Sequence, residues 1–144
     1  MNLIIFGPPG AGKGTQADFI VNKYDLYQLS TGEVLRNEIK NKTDLGNEIS
    51  SIINSGSLVS DNIVKKLVEI FISDKRYKDR LIFDGYPRNL IQAETLQELL
   101  NKYGQKIDLV LKLSVSLETI KKRILERSTL EKRADDSEQI AIKR

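Results

Sequence analysis

A chain of 144 residues is long enough for one hydrophobic core and short for two, so a single domain with inserted excursions is expected. Hydrophobic residues make up 40% and charged residues 30%, with no apolar run long enough to cross a membrane, which reads as a soluble protein. The absence of cysteine and histidine excludes disulfides, thiolate or imidazole metal sites and imidazole catalysis, and a net charge of +3 is too slight to argue for a nucleic-acid surface. In chain order, the apolar run Leu3-Ile4-Ile5-Phe6 reads as a strand, and because proline follows at once no secretory signal is expected. The segment Thr15 to Tyr24 carries Ala17, Ile20, Val21 and Tyr24 at helical spacing. Between strand and helix lies Gly7-Pro8-Pro9-Gly10-Ala11-Gly12-Lys13-Gly14-Thr15, in which Gly7, Gly12 and Lys13 fit G-x-x-x-x-G-K. Glycines of such a loop let backbone N–H groups converge on phosphate oxygens, the lysine neutralises their charge, and the helix N-terminus adds its own donors. Gly14 stands where the general pattern has Ser or Thr, so the Thr15 hydroxyl comes one position late. An ordinary glycine turn is the competing reading.

Tyr27 to Ser30 reads as a short strand, and Ser30-Thr31-Gly32-Glu33 has the spacing of a capping box for a helix bearing Val34, Leu35 and Ile39. A polar break at Asn41 to Thr43 precedes a second helix with Leu45, Ile49, Ile52 and Ile53 on one face, stopped by Ser55-Gly56. Ser57 to Ser60 returns the chain to the body, and Ser60 or Asp61 can cap a strongly amphipathic helix with Ile63, Val64, Leu67, Val68, Phe71 and Ile72 inward. After a charged connection, Lys75 to Arg80, the run Leu81-Ile82-Phe83 reads as a buried strand ending in Asp84-Gly85-Tyr86-Pro87-Arg88. Ligands collect beyond the carboxyl ends of parallel strands, so Asp84 and the loop after Phe6 are expected to face one crevice, a turn or cap role for Asp84 being the alternative. Leu90 to Tyr103 reads as a helix stopped by Gly104, and Ile107 to Val115 as the next strand. Ser116 begins a helix with Leu117, Ile120 and Ile124 inward and Arg123 and Arg127 on a common flank, where arginines are ordinarily solvated. Ser128 to Lys132 breaks the pattern, and Asp135-Asp136 with Gln139 reads as a further helix start. Strands alternating with helices predict an α/β fold in three layers, α/β/α, with four parallel strands.

Taken together, Gly7 to Gln16, Leu29 to Arg36, Phe83 to Arg88 with Gln92, and Arg133-Ala134-Asp135-Asp136 with Arg144 resemble the adenylate kinases, of the nucleoside monophosphate kinases. Gly14-Thr15 is that family's own form of the phosphate loop. The resemblance implies a P-loop kinase fold and the reaction ATP + AMP = 2 ADP. It implies a core at 1–29 and 60–127, an AMP-binding helical excursion at 30–59, and a short lid at 128–133. Residues 134–144 would begin a further core helix. Gly10, Ala11, Gly12, Lys13, Gly14 and Thr15 would wrap the ATP phosphates, with Lys13 on the transferred group. Arg36 and Arg88 would hold the AMP phosphate, Thr31 and Gln92 would bear on its adenine, and Ser57, Leu58, Val59 and Gly85 would line the same site. Asp84 would orient magnesium through water, magnesium coming with ATP and no structural metal being expected. Arg123, Arg127, Arg133 and Arg144 would close over the phosphates.

Such chemistry suits a chain without histidine, because phosphoryl transfer between two anions needs screening and alignment that Lys, Arg, magnesium and backbone donors supply. The family continues past the position of Arg144 with the rest of a helix, a strand and a closing helix, so the resemblance implies a strand at Ile107 to Val115 with one edge unpaired and one flank uncovered. With that carboxyl end complete, a cytoplasmic monomer acting on ATP, AMP and ADP, without nucleic-acid or membrane partners, is expected. A UMP or CMP kinase on the same scaffold and a catalytically inactive nucleotide-binding fragment are the alternatives; Thr31 and Gln92 favour AMP over the first.

Overall fold

A computed structural model of the chain describes residues 1–55, 57 and 59–131. The elements are β1 (Leu3–Phe6), α1 (Lys13–Tyr24), β2 (Tyr27–Ser30), α2 (Thr31–Lys40), α3 (Asp44–Asn54), α4 (Asp61–Ser73), β3 (Leu81–Asp84), α5 (Leu90–Lys102), β4 (Leu109–Lys112) and α6 (Leu117–Glu131), with a 3-10 turn at Lys75–Tyr77. The four strands form one sheet in the order β2-β3-β1-β4, and every pairing is parallel. Strand alternation sorts the core into two layers. Leu81 and Phe83 face the helices α4 and α5, joined there by Leu29, Val68, Ile72, Leu96 and Leu100. Leu3, Ile5 and Ile82 face the other way, against Ala17 of α1. The chain moves one way across the sheet from β1 to β2 through α1, and the opposite way from β2 through β4 with α4 and α5 on the other face. Reversing direction and face together keeps one hand of crossover throughout, as right-twisted strands require.

Between β2 and α4 the chain makes the helical excursion. Thr43 caps α3 by accepting from the Gly46 amide at 3.0 Å, while its hydroxyl donates to Glu38 Oε2 at 2.6 Å. A Cβ on Gly46 would stand 2.1 Å from the Glu38 carbonyl oxygen, so glycine alone lets α3 lie against the end of α2. Ile49 of α3 is fully buried in that contact with the main core.

Several sequence expectations are corrected. Strand β4 covers only Leu109–Lys112, not Ile107 to Val115, because β1, its one partner among the described residues, offers just the register Leu3 to Phe6; Ile107 and Leu113 pack instead as partly buried residues on opposite faces. Ser30 is the N-cap of α2, but its side chain makes no capping bond, so the S-x-x-E spacing does not form a capping box. Helix α6 runs on through Glu131 where a break at Ser128 was expected. Ser128-Thr129-Leu130-Glu131 contains neither Gly nor Pro to stop the backbone. Tyr24 and Leu117 point outward rather than into the core, since each stands at a helix end beyond the edge of the sheet contact. The start of a helix at 135–139 lies outside the described residues. Among the described residues β4 lies at one edge of the sheet, with Leu109 48% and Val110 57% exposed. Among the described residues no helix is long and apolar enough to cross a membrane.

Candidate active site

The phosphate-type loop joins β1 to α1 at the carboxyl edge of the sheet. Gly10 and Gly12 have φ of 77° and 90°, in the left-handed region where a side chain is strained. Gly10 also lies close to α6, where a Cβ would stand 3.1 Å from Ile124 Cγ1. Gly12 is the N-cap of α1 and brings no side chain, and the first turn carries no acid of its own beside the amide end of the helix. Lys13 Nζ donates to the carbonyls of Gly7 at 2.9 Å and Pro8 at 3.1 Å, which holds the ammonium at the centre of the loop. Arg123 of α6 reaches the same loop, its guanidinium within 3.4 Å of the carbonyls of Gly10 and Ala11. One arginine on the outer flank of α6 is thus a loop contact and not surface decoration. Arg127, one turn further on, is half-buried.

Asp84 ends β3, paired in register with Ile5 of β1, and is therefore fixed beside the phosphate loop. The carboxylate is buried and accepts from Gln28 Nε2 at 3.0 Å. Gln28 stands two residues before Ser30, the register partner of Asp84, so the two side chains share a face of the sheet. Carboxylate oxygen is the donor type magnesium takes, and a strand-end carboxylate beside a phosphate loop fits a role in holding the water shell of that ion. Among the described residues no group of three or more acidic side chains is placed to hold a metal unaided.

A second pocket opens between the excursion and the carboxyl end of β3. Thr31, Arg36, Ser57, Val59, Gly85, Arg88 and Gln92, all expected from the sequence to act together, line it, with Gly32, Leu35, Ile53 and Val64 completing its wall. Thr31 Oγ1 donates to the Gly85 carbonyl at 3.1 Å, tying the start of α2 to the loop after β3. Arg88 Nε donates to that same carbonyl at 2.7 Å, and the Arg36 guanidinium lies against Gly32. Positive φ at Gly85, 77°, makes the turn that brings Arg88 back toward Thr31. Gln92 is buried; its Oε1 accepts from the Arg88 amide at 2.7 Å and its Nε2 donates to Asp61 at 2.6 Å. Beneath the pocket Tyr86 is fully packed into the core, and burial first, then the charge of Asp61, pushes its phenol up to about 12.

The structure thus places a loop bearing Lys13 and Arg123 off the end of β1 and a pocket lined by Arg36 and Arg88 off the end of β3. A model of the family described as adenylate kinase matches residues 5–144. The chain belongs to the adenylate kinase family. It is similar to the adenylate kinase of Pelagibacter ubique, 54% identical over 92% of this chain and 62% of that protein's length. It is also similar to the adenylate kinases of Fusobacterium nucleatum, 42% identical over 100% of this chain and 79% of the relative, and Porphyromonas gingivalis, 41% identical over 100% and 74%. The chain therefore spans less than two thirds of the Pelagibacter relative and about three quarters of the others. Leu58, Arg133 and Arg144 lie outside the described residues, as does the end of the expected lid at 128–133; the part of it that is described, to Glu131, is helix.

Sequence reasoning missed Gln28, Asp61 and the apolar pocket wall. Leu35 was legible, being one turn from Thr31 on the same helix face. Gln28 shares the two-residue period of its strand with Ser30, a weaker signal that needs the sheet order before it points at Asp84. Asp61 gives no signal beyond that of an acidic first turn.

Proposed function

We propose that this chain catalyses reversible phosphoryl transfer from ATP to AMP, giving two ADP. The observation that carries the reading is the pairing of two separate cationic sites on adjoining strand ends, one built on a phosphate loop and one closed by a small helical excursion. A single-nucleotide switch has no use for the second. In this reading Gly10 to Thr15 cradle the ATP phosphates, and Arg36 and Arg88 hold the AMP phosphate in line with the transferred group. An oxygen of that phosphate attacks the γ-phosphorus as the bond to the β-phosphate oxygen breaks, so no side chain need take a proton. Lys13 and Arg123 follow the charge as it moves onto the leaving oxygen, an electrostatic role that strengthens when water is shut out. Magnesium, bound with ATP, would supply charge neutralisation across the phosphates, and Asp84, held by Gln28, is the residue that would keep its water shell in place.

The same reading assigns 1–29 and 60–127 to the core, 30–59 to the AMP-binding excursion and 128–133 to a lid, with Arg127, Arg133 and Arg144 completing the closed site. Cytoplasmic nucleotide pools are the proposed setting. UMP is the weaker acceptor in this reading, because the Gln92 amide that lines the pocket pairs with the amino and ring-nitrogen edge of a 6-aminopurine and not with the 4-keto and N3–H edge of uracil; cytosine shares the adenine pattern, so CMP is told from AMP by the size of the base. The test is a coupled assay of ADP formation from ATP with AMP, CMP and UMP in turn. AMP is expected to be used best; equal or better use of CMP or UMP would overturn the acceptor, and no transfer to any of them would leave a nucleotide-binding fragment.

A further inference from the structure

Gln92 is the one side-chain amide that lines the second pocket among the described residues, and both ends of it are anchored on the wall side. An amide can turn over about its last bond with almost no change in shape, exchanging nitrogen for oxygen. Here the partners forbid it. Asp61 Oδ1, at 2.6 Å, can only accept, and the Arg88 amide, at 2.7 Å, can only donate. Nitrogen therefore faces Asp61 and oxygen faces Arg88; the reversed amide would set oxygen against carboxylate and N–H against N–H. Asn89 braces the arrangement, its Oδ1 accepting from the Gln92 amide at 2.8 Å and its Nδ2 reaching Asp61 at 3.5 Å. After these bonds Gln92 keeps one N–H and one lone pair for a ligand, in a fixed order.

That order is information. A 6-aminopurine presents a donor at its amino group and an acceptor at N1, whereas a 6-ketopurine presents an acceptor and a donor in the same places. We propose that Asp61, acting through Gln92, is a positioning residue that sets the pocket's preference for a 6-aminopurine over a 6-ketopurine. It does so by fixing which way the amide faces before the base arrives. The inference rests on the reading of this pocket as the acceptor-nucleotide site. Of the two anchors, the bond to Asp61 is charge-assisted and so the stronger, and it is the one encoded by a side chain.

The probe is the pair AMP and IMP, which differ only in the 6-substituent and the proton on N1. Their kcat/KM ratio would be measured for the unaltered protein and for Asp61→Ala, Asp61→Asn and Gln92→Ala. Loss of a charge-assisted anchor should lower the AMP:IMP ratio of Asp61→Ala by about tenfold or more, with KM for ATP unchanged. Asp61→Asn can still accept through its carbonyl but can also turn over and donate, so its ratio should fall between the two. If Asp61→Ala folds poorly at the start of α4, calorimetric affinities of Asp61→Asn for AMP and IMP give the ratio without catalysis. A ratio unchanged in both Asp61 variants while Gln92→Ala abolishes it would overturn this inference and leave the site standing. An unaltered protein that uses AMP and IMP equally would overturn the acceptor-base reading, and this inference with it.

Discussion

Gln28 Nε2 donates to Asp84 Oδ2 at 3.0 Å, linking the edge strand β2 to the end of β3 next to the phosphate loop. The bond fixes one orientation of a buried carboxylate, as the role proposed for it through an ion's water shell would require. Asp84→Asn should lower kcat by roughly a hundredfold, with weaker nucleotide dependence on magnesium. Gln28→Leu, which leaves the carboxylate but removes its donor, should cost a smaller factor, roughly three to tenfold, with KM for AMP unchanged. Steady-state kinetics across a magnesium titration measures both; an Asp84→Asn protein with normal turnover would remove the carboxylate from the mechanism.

Lys13 is held by two carbonyls of its own loop, so its charge is already at the loop centre before a nucleotide arrives. Lys13→Met keeps most of the side chain's length and deletes only that charge. Turnover should fall by on the order of a thousandfold or more, because the charge matters most where negative charge develops in the transition state. Activity within about tenfold of the unaltered protein would exclude the lysine from catalysis.

Arg88 meets the Gly85 carbonyl through Nε and lines the same pocket as Arg36. Arg88→Ala should raise KM for AMP by about a hundredfold while the affinity for ATP holds, since the phosphate contact proposed for this guanidinium would be lost at one site only. Calorimetry with each nucleotide separately reads the two effects apart, and equal losses for both would contradict two distinct phosphate sites.

Much of the site is legible in the sequence itself. The loop at Gly7 to Thr15, the strand end at Asp84 and the pocket residues Thr31, Arg36, Arg88 and Gln92 belong to short, contiguous motifs, and the backbone that holds them is local. What escaped the sequence depends on contacts between distant segments. Asp61 acts on Gln92, Gln28 acts on Asp84, and neither pairing follows from spacing, because each needs the sheet order or the packing of α4 on α5. The overlong strand at Ile107 to Val115 failed for a related reason: apolar residues that flank a strand look like strand, and only the length of the partner β1 limits the pairing.

Tyr86 gives a pH dependence with a definite sign. Its phenol is raised to about 12, by burial first and the charge of Asp61 second, above the ordinary value of 10.0. The folded state therefore favours the neutral phenol, so the stabilisation is fully present below about pH 10 and is lost as pH rises toward 12. Tyr86→Phe cannot ionise and should show a shallower fall in Tm across that window. Parallel alkaline limbs for the two proteins would show that the phenol does not titrate with unfolding.

Gly46 sets the geometry of the excursion, and the two effects of replacing it have opposite signs. Alanine is the better helix former by about 1 kcal/mol, which alone would stabilise α3. Against that, the added Cβ would lie 2.1 Å from the Glu38 carbonyl oxygen and 2.7 Å from the Ile39 nitrogen, and both are backbone atoms that cannot swing aside. Relief requires α3 to move off the end of α2, stretching the Thr43 cap and the burial of Ile49. Overpacking against backbone costs about 1–3 kcal/mol or more, so the clash should win. Gly46→Ala should lower Tm, and because Thr31 and Arg36 ride on α2 while Ile53 rides on α3, it should raise KM for AMP and leave KM for ATP alone. A Gly46→Ala protein that melts higher than the original, with AMP kinetics unchanged, would mean that the helices separate without cost and that their close contact does not shape the pocket.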